Sequence, residues 1–269
     1  GNPLAMAGAV TVLALYLVAI LAPVLTPYDP VSHGDLPGMR HQPPSKAHPL
    51  GTDKFGRDVL TRVVYGSRIS LTVSFLAVAL SVVLGSIVGA VAGYAGGFVD
   101  ALLMRIVDAL MSIPRLFLLL TCIALFSRSL LLVTILLGAT GWMGTARLVR
   151  GQILSLKSRE FISAAEALGA GSRRIVLRHL IPNALTVIIV SATLRIGLII
   201  LVEASLSFLG LGVPPPTPSW GMMVYEGREV LLDAWWVSTF PGLAIVVTVV
   251  AYNLLGDGLR DSFDPVQFT

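Results

Sequence analysis

Six predominantly apolar stretches of this chain each reach about twenty residues or more: residues 4–26, 69–93, 100–127, 129–149, 184–211 and 237–257. The hydrocarbon core of a bilayer is roughly 30 Å thick, which about 20 helical residues cross, and it offers no water to an unpaired backbone. Runs of this length predict an all-α integral membrane protein with six transmembrane helices. Composition agrees, with 55% hydrophobic and only 13% charged residues among 269 and a mean hydropathy of +0.84. An ordinary soluble domain carries about 25% charged residues. The first run exceeds a signal-peptide core and has no basic segment ahead of it, so a retained anchor is expected. Only Ser127, Arg128 and Ser129 separate the third and fourth runs, which predicts a tight helical hairpin.

The chemistry-bearing motifs of soluble enzymes are missing. There is no G-x-x-x-x-G-K-[ST] phosphate loop, no H-E-x-x-H and no G-x-S-x-G, so neither ATP hydrolysis nor another enzymatic activity is expected of this chain. His33, His41, His48 and His179 are scattered without metal-ligand spacing, and the single Cys122 excludes an intrachain disulfide. A net charge of +4 and a pI near 9.5 come from residues flanking the spans. Their natural counterpart is the membrane lipid headgroup, not nucleic acid.

The polar island from Arg159 to Pro182 carries most of the functional information. Phe161, Ala165 and Leu168 fall on one helix face. Ser158 is the expected cap, Glu160 favours the first turn, and Gly169 suits a left-handed helix end. Ser172 is expected to cap a second short helix that Pro182 ends. Such a loop is either a docking surface or a solvated helical connection. Arg147, Arg150, Lys157, Arg159, Arg173, Arg174 and Arg178 outnumber Glu160 and Glu166 here, placing the loop in the cytoplasm by the positive-inside rule. Residues 27–68 also carry Arg40, Lys46, Lys54, Arg57, Arg62 and Arg68, so charge counting alone leaves the topology open.

Ser163-Ala164-Ala165, then Gly169, then His179-Leu180-Ile181-Pro182 resembles the EAA loop of ABC importer permeases. That family has Glu where this chain has Ser163, and Ile-x-Leu-Pro where it has His179 to Pro182, so a salt link from the first position does not carry over. Three further strings resemble the DppC/OppC-type subunit of dipeptide and oligopeptide permeases: H-P-L-G-T-D-K-F-G-R-D from His48, E-A-S-L-S-F-L-G-L-G from Glu203 and N-L-L-G-D-G-L-R-D-S-F-D-P from Asn253. The resemblance implies the type I ABC importer permease fold. It would comprise an N-terminal helix and extracytoplasmic loop (1–68), a permease domain (69–260) with a coupling loop at 158–182, and a cytoplasmic tail (261–269). It also implies a multi-pass protein of the cytoplasmic (inner) membrane with both termini inside. The implied partners are a homologous DppB/OppB-like permease, two ATP-binding subunits that hold ATP and Mg, and an extracytoplasmic substrate-binding protein. The implied function is translocation of di- and oligopeptides, or of related solutes such as nickel chelates or haem. Phe161, Ser163, Ala164, Ala165, Glu166, Leu168, Gly169, Ser172, Arg173 and Arg174 would then couple to the ATPases.

Charges inside the spans remain to be explained. Arg195 and Glu203 share the fifth run, where an ionisable group costs roughly 2.5 kcal/mol or more. Eight residues put them about 12 Å apart along a helix, so a direct bond is not expected. Both are candidate gate or pathway residues, with a purely structural contact as the competing reading for Glu203. A rival reading makes the chain a self-sufficient secondary carrier or channel, using Glu203, Asp108 and Arg195 as an ion relay. Elsewhere, Arg105 and Asp108 are spaced to pair, Asp100 to cap a helix and Pro114 to kink it. Gly85, Ser86, Gly89, Ala90 and Gly93 allow close helix approach, within the subunit or to a partner. Asp58 is an expected N-cap for a surface-lying segment containing Val59, Leu60, Val63 and Val64. Trp220, Trp235 and Trp236 suit a headgroup-level aromatic belt.

Overall fold

The computed structural model describes residues 2–32, 37–126 and 129–263. Among them the regular structure is helical: α1 (Pro3–Leu25), α2 (Val59–Ala95), α3 (Gly97–Met111), α4 (Arg115–Leu125), α5 (Leu130–Ala139), α6 (Trp142–Lys157), α7 (Glu160–Ala167), α8 (Ser172–Ile175), α9 (Ile181–Phe208), α10 (Trp220–Gly227) and α11 (Trp236–Phe263). Five continuous segments are long and apolar enough to cross a membrane, with α5–α6 and α8–α9 each acting as one. The pair α3 and α4 supplies a sixth only as a broken span, bent by 77°. The kink expected at Pro114 is present, and it is sharp enough to divide the third apolar run into two helices. Pro114 precedes α4 and cannot donate to the ladder of α3, so the two halves part there. Of the expected hairpin, Ser127 and Arg128 lie outside the described residues, and Ser129 caps α5 by accepting from Leu132 N at 3.1 Å.

The centre of the bundle is the parallel pair of α2 and α6, whose numbering rises together from Gly85 against Trp142 to Gly93 against Ile153. Gly85, Gly89 and Gly93 recur every fourth residue on one face of α2. A methyl group at Gly89 would collide with the Ala146 carbonyl, and one at Gly85 would lie 2.5 Å from Thr145 Cβ. The small-residue stripe thus serves packing inside this subunit. Leu71, Leu137, Ile199 and Ile200 are buried where α2, α5 and α9 meet. Along the edge, α1 runs antiparallel to α11, with Gly8 against Ala251 and the Tyr252 hydroxyl donating to Tyr16 at 2.9 Å.

Ion pairs cross between helices where an in-helix pair and a helix cap were expected. Asp108 binds Arg147 at 2.6 Å, not Arg105, and Asp100 binds Arg150 through both oxygens, while Gly96 occupies the cap position. Arg147 and Arg150 are three residues apart on α6, so one face of that helix reaches both acids of α3.

One end of the bundle gathers the end of α2, the start of α3, the end of α6 and the segment 158–182. There Lys157 Nζ donates to Tyr94 O at 2.8 Å. Antiparallel packing brings the start of α1 and the end of α11 to this same end, where Asn2 reaches Asp261 at 3.3 Å. α11 continues to Phe263, and the rest of the expected tail, 264–269, lies outside the described residues.

At the opposite end, Asp58 caps α2 as expected, accepting from Thr61 N at 2.7 Å. The segment after it is no surface-lying helix. Val59 is fully buried, and the 37-residue α2 continues unbroken from it, about 55 Å long against a core of about 30 Å. The extra turns are covered by α10 and the start of α11. Trp220 and Trp236 are consequently interior, not part of a headgroup belt: their indole N–H groups donate to Val63 O (2.9 Å) and Thr52 O (3.1 Å). Only Trp235 of the three is exposed.

Candidate functional site

The segment after α6 folds as an elbow. Ser158 does not cap α7: its hydroxyl donates back to Ser155 O at 3.0 Å, and Arg159 holds the cap position with no side-chain bond. Gly169 fulfils its expectation with φ of +79°. Its N–H donates to Glu166 O at 2.9 Å, and that of Ala170 to Ala165 O at 3.0 Å. This paired closure satisfies the carbonyls of the last turn and requires a left-handed residue. Gly171, not Ser172, is the cap of the next helix, so Ser172 is already inside it. Nor does Pro182 end that helix. A wide turn at Val176–Leu180, with Ile181 N donating to Val176 O, carries the chain past the proline into α9. Ser172–Phe208 becomes one rod of 37 residues.

Side-chain directions sort the elbow residues into two sets. Ile162 is 1% exposed and packs with Ile153, Leu156, Ile175 and Leu180, fastening α7 to the bundle. Leu168 is 90% exposed and Phe161 42% exposed. Ser163, Ala164 and Glu166 are also exposed, and Ala165 is half-buried. The apolar face built from Phe161, Ala165 and Leu168 is therefore largely presented outward. Beside it, Ser172, Arg173, Arg174, Leu177 and Arg178 border an open cleft of about 540 Å³. An exposed apolar pair next to a cationic rim is suited to a protein partner with an apolar groove and acidic edges. Ile162 was missed in the sequence because, taken alone, it falls off the Phe161–Leu168 face.

The two intramembrane charges do not meet. Glu203 is 1% exposed and accepts from Ser207 Oγ (2.8 Å) and Ser219 Oγ (3.2 Å), with no cation beside it among the described residues. Ser219 also caps α10, accepting from Met222 N at 3.3 Å, so Glu203 fastens the start of α10 to α9. Arg195 donates to Gly141 O at 2.9 Å and to Ser191 Oγ at 3.4 Å. It borders a cavity of about 740 Å³ between α6, α9 and the end of α11.

A buried cluster at the end opposite the elbow was not foreseen. Asp53 binds Arg57 Nε (2.7 Å) and Arg62 Nη1 (2.6 Å), while Glu226 accepts from the same two arginines at 3.3 and 2.7 Å. His48 Nδ1 lies 3.0 Å from Asp58. The H-P-L-G-T-D string is thus a buried clasp. The i,i+4 spacing of Asp53 and Arg57 hinted at part of it, but Glu226, more than 160 residues on, left no local signal. No group of residues able to hold a metal ion occurs among those described.

Comparison with known proteins accounts for this arrangement. Residues 81–267 match the family model of the binding-protein-dependent transport system inner membrane component, and residues 1–44 match that of the N-terminal transmembrane domain of oligopeptide transport permease C. The dipeptide transport system permease protein DppC of Bacillus subtilis is 42% identical over 98% of this chain and 82% of its own length. The glutathione transport system permease protein GsiD of Shigella flexneri is 45% identical over 97% of this chain and 86% of its own. In fold, the chain is similar to a chain from an inward-facing MetNI methionine ABC transporter structure, with a TM-score of 0.62, 23% identity, and coverage of 76% of this chain and 98% of that one. The protein belongs to the family of binding-protein-dependent transport system inner membrane components.

Proposed function

We propose that this chain is one of two permease subunits of an ATP-driven importer in the cytoplasmic membrane, carrying di- or oligopeptides or related small solutes. The relatives named for dipeptide, oligopeptide and glutathione transport support the cargo class. The observation that carries the mechanism is the elbow: Ile162 fastens it inward while Phe161 and Leu168 face out. An ATPase subunit docks there, with Ser163, Ala164, Ala165 and Glu166 forming the contact surface and Gly169 setting the turn. Arg173 and Arg174 pair with acidic groups on the ATPase, and Ser172 begins the rod that receives the force. ATP and Mg belong to two such ATPases. A homologous permease completes the pathway, and a substrate-binding protein delivers cargo at the far end. With the elbow in the cytoplasm, both termini lie on that side. Arg195 borders the pathway, and Glu203 supports the outer gate by holding α10.

Leu168→Glu tests this reading, because an exposed side chain contributes little to the fold. The variant keeps its unfolding temperature but fails to co-purify with the ATPases in mild detergent and loses ATP-dependent uptake in proteoliposomes. Unchanged association and uptake would refute docking at the elbow.

A further inference from the structure

Two helix breaks converge with two arginines at mid-depth. α3 and α4 part at Pro114, α5 and α6 at Thr140–Gly141, and Arg195 sits near the middle of the Ser172–Phe208 rod. Arg115, the first residue of α4, donates from Nε to Thr140 Oγ1 (3.1 Å) and from Nη2 to Leu137 O (2.8 Å). Arg195 donates to Gly141 O, and a methyl group at Gly141 would lie 3.4 Å from Arg115 Nη2, so both guanidiniums converge on one glycine. Gly144 has no side chain where Arg195 passes. Met111, Arg115, Thr140, Gly141, Gly144 and Arg195 line one cavity of about 300 Å³.

Neither arginine has a carboxylate partner among the described residues. The acids of the described residues are engaged elsewhere or lie at other levels: Asp100 is taken by Arg150, Asp108 by Arg147, and the remaining ion pairs are outside the mid-depth level. Glu203 is held by two serines. A guanidinium has five N–H donors. The bonds above leave Arg115 Nη1 and Arg195 Nη2 without a partner among the described residues. Two cations at the middle of a membrane, bordering a cavity and lacking a counter-charge, are a costly arrangement unless an anion visits. Interrupted helices at the same depth provide the space and the free backbone groups for a polar guest.

We propose that Arg115 and Arg195 form an anion-binding station that takes the terminal carboxylate of the solute as it crosses. The station rests on the importer reading and assigns it a substrate chemistry: cargo with a free carboxylate is favoured over neutralised cargo at the permease itself.

The test uses the complete importer in proteoliposomes, with partner permease, ATPases and binding protein. ATP-dependent uptake of alanyl-alanine is compared with that of alanyl-alaninamide. Because every variant shares one binding protein, its own preference cancels when variants are compared. Arg115→Gln and Arg195→Gln should each reduce the acid-over-amide preference about tenfold, the effect of losing a charge-assisted hydrogen bond, while Arg115→Lys and Arg195→Lys retain most of it. An unchanged preference in the Gln variants, with wild-type uptake intact, overturns the station but leaves the importer reading standing. Failure of the wild-type complex to take up either peptide overturns the cargo reading and the station with it. If the Gln variants alone lose the partner permease, the arginines bind a carboxylate of that subunit and the proposal is wrong.

Discussion

Removing Glu226 should reveal how strongly the end opposite the elbow depends on its buried clasp. Arg57, Arg62, Asp53 and Glu226 are between 1% and 7% exposed and sum to zero charge. At an effective dielectric of about 20, the 2.7 Å contact of Arg62 with Glu226 alone amounts to about 6 kcal/mol of attraction. Desolvation offsets much of that in the intact cluster, yet deleting one acid leaves a buried cation uncompensated, which costs about 3–5 kcal/mol. Glu226→Gln should lower the unfolding temperature in detergent by about 6–20 °C, read at a single scan rate because membrane-protein unfolding is often irreversible. Combining it with Arg62→Met removes the excess charge and leaves the Asp53–Arg57 pair at 2.7 Å intact. The double variant should therefore be more stable than the sum of the single losses by at least about 1 kcal/mol. Strict additivity, or a single variant within a degree or two of wild type, would refute the claim that these four side chains act as one unit.

Three further substitutions probe the bundle. Gly89→Ala places a methyl on the Ala146 carbonyl and should destabilise the subunit by about 1–3 kcal/mol, whereas Gly151→Ala, with nothing within 4 Å of the added carbon, should be neutral or slightly stabilising. Equal unfolding temperatures for the two variants would contradict the α2–α6 contact. Glu203→Gln keeps an acceptor for Ser207 and Ser219, so stability should change by less than about 1 kcal/mol. Uptake and substrate-stimulated ATP hydrolysis should both fall, and if neither moves, Glu203 has no part in a gate.

Span positions were legible because a bilayer demands long apolar helices whatever their neighbours do. Gly169 and Asp58 were legible for a similar reason, since a left-handed turn and an N-cap are decided within a few residues. What depends on a distant partner was not. Asp108 chose Arg147 over the nearby Arg105, because α6 offers a cation across the interface. Trp220 and Trp236 look like interfacial residues until α2 is seen to extend beyond the bilayer thickness and to need a cover. Pro182 was read as a stop, but one widened turn was enough to absorb it. At the elbow, the apolar periodicity marked the right face, and burial of Ile162 decided which way it points.

The distribution of close and polar contacts suggests where the subunit can yield. α6 is joined to α2 by backbone-level contact along three glycines, so those two helices move together. α6 meets α9 differently at mid-depth, through the Arg195 guanidinium over Gly141 and Gly144, a contact that can slide without opening a void in close-packed apolar surface. α8 and α9 form one continuous rod of 37 residues, about 55 Å long, from the elbow past Glu203. A force applied at Leu168 in the proposed mechanism therefore reaches two rigid bodies, α2–α6 through Ile162 and the rod through Gly171. Their relative displacement falls on the arginine-lined cavity and, further along, on the hydrogen bonds of Glu203 to Ser207 and Ser219.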